Sequence, residues 1–326
     1  MKISVVIPTF NRPDALSQVL DHILLNDCAQ FEDIEVIVVD DGSSLPVEQV
    51  VKSKIVTKPF RIKYLQQANS GPGIARNRGF QDASNEIVLF IDDDILAAPD
   101  LISVHYRSHQ EMPGSVIFGR SPLHSEAVES PAKKYFDSLQ FETESKKGLI
   151  KQQDLASGNI SFERSMFPDG AVYHRQMETP GAEEFELAAR LQNQGVSVYQ
   201  NNDAWGWHLQ SAEISQKCKQ EYKYGLSLAE AFVKMPSLME NERFRHMIET
   251  NAPIRFSTET VNDFIKKQAK RIALLMAAPR AILFFTKLIE RIMPSSKLLP
   301  KLYRTLCGLS LFSGVRDGMK LFKKIV

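Results

Sequence analysis

Residues 88–100 read VLFIDDDILAAPD, and the apolar run Ile87–Ile91 stops at three adjacent aspartates, Asp92, Asp93 and Asp94. Five buried-type residues in a row, with no polar alternation, suit a strand covered on both faces. The carboxylates behind it repel one another and resist desolvation. Either water keeps them apart on an open loop, or a hard divalent cation that binds oxygen sits among them.

The preceding stretches repeat the same pattern. Ile3–Ile7 is an apolar run that stops at Pro8. Asn11 is then placed to cap a helix with Pro13 in its first turn and Leu16, Val19, Leu20, Ile23 and Leu24 on one face. Ile34–Val39 is a second run, closed by the turn signal DDGSS. Residues 47–56 read as helix, 62–65 as strand and 74–83 as helix. Short two-faced runs alternating with helices predict a parallel sheet between two helical layers. In such sheets ligands bind beyond the carboxyl ends of the strands. Those ends read PTFNR, DDGSS, QQANSGPGIARN and DDD, all polar. A dinucleotide-binding fold would show G-x-G-x-x-G after the first strand, and PTFNR has no glycine, which disfavours a nicotinamide enzyme.

Further on, LASGNISFERS alternates like a strand and TPGAEEFELAARLQNQG has helical periodicity ending at Gly195. VSVY and AWGWHL read as two short strands, and from residue 212 the pattern is helical. The 326 residues are 43% hydrophobic and 24% charged, ordinary for a globular protein, with a formal net charge of +1. That near-neutral sum hides an asymmetry. Residues 261–326 hold 14 Lys and Arg against 3 Asp and Glu, leaving 26 against 36 in residues 1–260. The 3 cysteines form no CxxC pair, which argues against a zinc site or disulfide framework and for a reducing cytosol. The first residues are too short an apolar core, with too early a proline, for a signal peptide. No uncharged apolar run reaches the roughly 18 residues of a spanning helix.

SVVIPTFNR, VIVVDDGSS, GPGIARNRG, LFIDDDI and GAEEFELAARL occur in the order and approximate spacing of family 2 glycosyltransferases, and the chain resembles that family over residues 1–210. The resemblance implies an α/β protein of the GT-A fold, a Rossmann-like mixed sheet flanked by helices, with a helical C-terminal extension. It implies a catalytic domain over 1–210, with its nucleotide-sugar-binding half in 1–100 and its acceptor half in 101–210. Residues 211–326 form a helical, basic and amphipathic region. The implied activity is inverting transfer of a sugar from a nucleotide-sugar to a lipid-linked or growing glycan, as in bacterial surface-glycan synthesis.

Such a reaction releases a nucleoside diphosphate, whose developing negative charge a divalent cation, Mn²⁺ or Mg²⁺, can neutralise. By resemblance the triple aspartate is the D-x-D element. Asp94 touches the metal, while Asp92 or Asp93 orients the ion or the donor. Asp41 reaches the nucleotide base, and Pro8, Thr9 and Asn11 border the same pocket. Arg76 lies early in a helix whose amides favour anions, and its planar fork suits a diphosphate. Inversion needs one base for the acceptor hydroxyl. Glu184 stands at the base's place, one methylene longer than the commoner aspartate, and Glu183 is its alternate. His208 either completes the metal site or touches phosphate, and Asn159 and Trp205 are candidates for the acceptor side. No Q-x-x-R-W motif follows, which by family analogy argues against a processive synthase.

The C-terminal segment alternates cations with apolar clusters at helical spacing. Peripheral contact with an anionic membrane, at the inner face of the plasma membrane, is the reading set against a helical cap packed on the catalytic domain. No nucleic-acid motif is present. Two alternatives stand beside glycosyl transfer. One is a sugar nucleotidyltransferase, which would carry a glycine-rich basic loop after the first strand. The other is a catalytically silent, membrane-associated glycan or nucleotide binder.

Overall fold

A computed structural model describes residues 1–124, 129–141, 157–174, 181, 183–211, 213–235 and 278–322. The chain divides into two compact units. One comprises Met1–Ala127, Asp137–Glu178 and Glu183–Gln210, and the other Val128–Phe136, Thr179–Ala182 and Ser211–Val326.

The first unit is built on a mixed sheet. β1 (Lys2–Thr9), β2 (Asp33–Asp40) and β3 (Phe60–Gln66) run parallel, and β4 (Ile87–Ile91) lies parallel on the other side of β1. α1 (Pro13–Leu24), α2 (Val47–Ser53) and α3 (Pro72–Asp82) make the crossovers. Then follow β5 (Ile95–Ala97), α4 (Leu101–Glu111), β6 (Val116–Arg120), β7 (Asn159–Glu163), α6 (Glu183–Asn193) and β8 (Val198–His208), while α5 (Pro131–Phe141), between β6 and β7 in sequence, begins in the second unit. The strand order is β3-β2-β1-β4-β7-β6-β8-β5. β7 is antiparallel to β4 and β6, β5 is antiparallel to β8, and β6 and β8 are parallel.

The two-residue period of a strand sorts the core into two layers. Ile3, Val5 and Ile7 of β1, Ile34, Val36 and Val38 of β2, and Leu89 and Ile91 of β4 pack with Leu16, Val19, Leu20 and Ile23 of α1 and Leu101 and Ile102 of α4. Their neighbours Val6, Ile37, Val39, Val88 and Phe90 face the other way, onto Ala75 and Phe80 of α3 and Leu187, Ala188 and Leu191 of α6. Gly79 lets α3 approach β1 closely, because a Cβ there would run into Val6. Helices on both faces account for the unbroken apolar runs, since neither face meets water.

Two local expectations change. Asn11 does not cap α1, whose N-cap is Arg12 with no side-chain cap bond. Asn11 instead adopts φ 55° and accepts hydrogen bonds from the amides of Ser44 and Leu45, at 2.8 and 3.2 Å, which ties the β1 and β2 loops together. Residues 198–208 form one strand rather than two. Its polar middle is held extended because the strand pairs with β6 at one end and with β5 at the other.

In the second unit α7 (Ile214–Lys234) and α9 (Leu299–Phe322) pack side by side, and α8 (Ala278–Ile292) joins α9 through a 2.7 Å hydrogen bond from the Tyr303 hydroxyl to Glu290. Gly225 and Gly314 bring α7 and α9 into backbone contact: a Cβ on Gly314 would collide with the Tyr222 carbonyl. Ile214, Leu299, Tyr303 and Leu306 form the core, with Ile282, Leu283 and Ile289 of α8 against it. Residues 261–277 and 323–326 of the basic segment lie outside the described residues.

Candidate active site

β1 and β4 are adjacent and parallel, but the chain leaves them in opposite directions across the sheet, which makes their carboxyl ends the topological switch point. Thr9 closes β1, and its hydroxyl donates to Asp93 at 2.7 Å. Arg12, just beyond, donates to Asp93 at 3.1 Å and to Asp94 at 2.7 Å. The β5–β8 register sets His208 opposite Ile95, which brings its Nε2 to 3.2 Å from Asp94. The adjacent carboxylates therefore coexist with cationic partners between and beside them. Burial pushes Asp93 up to about 6 against the pull of Thr9 and Arg12. For Asp94 burial works in the same sense, but His208 and Arg12 overcome it and draw the group down to about 2.

Asp92 turns the other way. Arg76, buried on α3, donates to Asp92 at 2.5 Å and lies 3.5 Å from Glu183 at the start of α6. Its guanidinium sits over the Tyr173 ring, 5.6 Å from the centroid. Burial disfavours this charge, yet Asp92 foremost, with Tyr173 and the Glu183–Glu184 pair, holds the pKa above the ordinary arginine value. Glu184 accepts a 2.5 Å hydrogen bond from Ser157 at one oxygen, while its other oxygen is buried with no hydrogen-bond partner. The Tyr173 hydroxyl and the Nε and Nη1 groups of Arg76 are likewise buried without one. Buried polar atoms are nearly always satisfied, so several together mark a place built to receive polar groups from outside.

Asp41 accepts from the amides of Ser70 and Gly71 and from Gln67, at 2.7–2.9 Å, and so fixes the loop entering α3. Asp40 makes the turn, accepting from the Ser43 amide and the Tyr64 hydroxyl. Pro8 is buried in register with Val39, beside Thr9. Asn159 does not line an open face. It is buried beneath α4, where it bonds His105 at 2.8 Å and the Ala204 carbonyl at 2.9 Å. Trp205 packs edge-on against Trp207, with ring centroids 5.0 Å apart.

Sequence reasoning passed over Arg12, Tyr173, Asn77 and Ser157. Asn77 brackets the Tyr173 backbone with two hydrogen bonds, 2.7 and 2.9 Å, across 96 positions of sequence. No local pattern announces such a pair. Arg12 did carry a signal, as a cation in a strand-end loop facing a triple aspartate.

Among the described residues no three His, Cys, Asp or Glu side chains converge as a closed metal site. Asp94 and His208 do come together. A carboxylate and an imidazole fit a Mg²⁺ or Mn²⁺ ion held by one or two protein groups, with substrate phosphates supplying other ligands.

Residues 4–170 match the family model described as glycosyl transferase family 2. The chain belongs to this family. A beta-1,3-glucosyltransferase of Campylobacter jejuni, named for GalNAc(5)-diNAcBac-PP-undecaprenol, is 41% identical over 95 residues, 28% of this chain and 29% of its own. Validoxylamine A glucosyltransferase of Streptomyces hygroscopicus is 28% identical over 238 residues, 63% of this chain and 54% of its own. The chain thus spans less than two thirds of either relative. A mannosyltransferase of Pyrobaculum calidifontis, solved with GDP-Man and Mn²⁺, superposes with a TM-score of 0.60 at 17% identity, covering 99% of this chain and 87% of that one. The shared architecture is the GT-A fold, a mixed sheet flanked by helices.

Proposed function

We propose that this family 2 protein is an inverting glycosyltransferase that moves a sugar from a nucleotide-sugar to a glycan or lipid-linked saccharide. The observation that carries the reading is the buried, unpartnered Glu184 oxygen, set among Arg76, Tyr173 and Asp92 at the strand ends. Ser157 holds one Glu184 oxygen and leaves the other to accept the proton of an incoming hydroxyl. As that proton moves to Glu184, the acceptor oxygen bonds to the anomeric carbon, and the bond to the donor phosphate breaks with its electron pair staying on the diphosphate. Attack opposite the leaving group inverts the anomeric centre. Glu183, beside Arg76, is placed to position that arginine rather than to take the proton.

Asp94 and His208 would hold a divalent cation, which supplies charge neutralisation to the departing diphosphate when bound. Arg76 offers unfilled donors to the same anion, and Asp92 orients them. Thr9, Arg12 and Asp93 shape the donor side. Asp41, by fixing the loop before α3, sets the wall where a nucleotide base would lie, next to Pro8 and Asn11. The undecaprenol-linked substrate in the Campylobacter relative's name supports a lipid-linked acceptor, and with it peripheral contact at the inner leaflet. Family membership speaks for glycosyl transfer over nucleotidyl transfer, and the unpartnered Glu184 oxygen speaks against a silent binder.

Thermal shift with a panel of nucleotide-sugars, with and without Mn²⁺ or Mg²⁺, tests this reading, because a ligand that binds only the folded state raises the melting temperature. A cation-dependent rise with at least one donor is expected. No rise with any donor would overturn it.

A further inference from the structure

The helix α8 carries a wide apolar face, of which one side is packed and the adjoining side is exposed. Ile282, Leu283 and Ile289 pack into the core of the second unit, and Glu290 accepts the Tyr303 hydroxyl, which fixes the rotation of the helix. Phe284, Phe285, Leu288 and Ile292 then point outward, 66%, 58%, 41% and 65% exposed. At 100° per residue Phe285, Leu288 and Ile292 fall on one stripe with Phe284 at its border. Met293 and Leu298, also exposed, follow the helix in sequence, so that six of the twelve large hydrophobic side chains exposed among the described residues lie within 284–298. Contiguous exposed apolar surface of this kind marks an interaction site.

The charges around it name the partner. Lys287 and Arg291 are exposed and lie along the Phe284 border of the stripe, and Lys297, Lys301 and Arg304 follow, exposed, in the next turn and α9. An apolar stripe edged by cations, in a segment with 14 basic against 3 acidic residues, matches an interfacial helix on anionic lipid. A second copy of this chain would set the same cations against each other, and a nucleic acid would leave the phenylalanines without a partner. We infer that α8 is the membrane-docking element, inserting Phe284, Phe285, Leu288 and Ile292 among acyl chains while Lys287 and Arg291 contact anionic headgroups. This deepens the peripheral membrane contact of the proposed function and rests on that reading.

Flotation of the full chain with phosphatidylcholine vesicles, with or without phosphatidylglycerol, tests the inference. The chain should float with anionic vesicles at roughly 0.1 M salt and much less with neutral ones. Phe284→Asp with Phe285→Asp should reduce flotation at least tenfold, and Lys287→Glu with Arg291→Glu should remove the preference for anionic lipid. Phe285→Trp should shift its emission to the blue on anionic vesicles and be quenched by brominated acyl chains, which reports insertion even where the double aspartate variant fails to fold. Flotation unchanged in the aspartate variant, no spectral change in the tryptophan variant, or concentration-dependent dimers with no vesicle binding would overturn it. Donor-induced thermal shift on the same samples separates the two proposals. Vesicle binding lost with the shift retained removes only the docking face, and a shift absent throughout removes the glycosyltransferase reading.

Discussion

At the proposed active site the assigned duties of individual side chains are separable by substitution. Glu184→Gln keeps the Ser157 contact and the shape but cannot take a proton, so turnover should fall on the order of 10²–10⁴-fold with donor affinity nearly unchanged. A larger loss in Glu183→Gln would reverse the two roles. Asp94→Asn should instead abolish cation-dependent donor stabilisation, measured by thermal shift, with the fold intact. Arg76→Met takes the buried cation away from half-buried Asp92 and removes one partner of buried Glu183, and should cost about 3 kcal/mol in a urea titration. The grouping of Asp92 and Asp94 with Arg76 and His208 was legible because strand ends are where such folds bind, and charged residues there announce themselves. The counter-cation Arg12 was not foreseen among the aspartates, for which water or a divalent cation was the expected neighbour. Tyr173 was hidden because its place depends on a clamp to Asn77 that no periodicity encodes.

Elements add their own constraints. α4 covers β7 through a buried polar layer in which His105 contacts Ser161 and Asn159, and His109 contacts Ser161, all at 2.8 Å. Burial lowers His105 to about 4 and His109, with His105 beside it, to about 3. An unfolded histidine titrates near 6.5, so above that pH neither state binds the protons and the pair is silent. Below it the unfolded chain takes protons that the folded chain refuses, and stability falls as pH drops from about 6.5 towards 4. The loss should reach a few kcal/mol, seen as a melting temperature lower at pH 5 than at pH 7, and His109→Gln should shrink it. In the second unit Gly314→Val would wedge α9 away from α7 and cost about 1–3 kcal/mol, read by chemical denaturation. β1, β2 and β4 were legible from their apolar runs, whereas the three-residue β5 was not read as a strand. β8 was misread as two pieces, since Asn201, Asn202 and Asp203 look like a loop until their neighbours pair with two different strands.

For the whole molecule, the alternation of apolar runs and helices carried the α/β architecture. The antiparallel insertion of β7 between β4 and β6 was not legible, because pairing partners far apart in sequence leave no mark on either strand's own pattern. No helix of the described residues is long and apolar enough to cross a membrane. The central claim is that the strand-end cluster transfers a glycosyl group with Glu184 as base. The most direct test is release of nucleoside diphosphate from a donor that stabilises the protein, with Mn²⁺ present and water standing in for the acceptor. The wild-type chain should release it, and chelation of the cation should stop release. Glu184→Gln and Asp94→Asn should each slow release at least a hundredfold. Release at the wild-type rate in both variants would contradict the account.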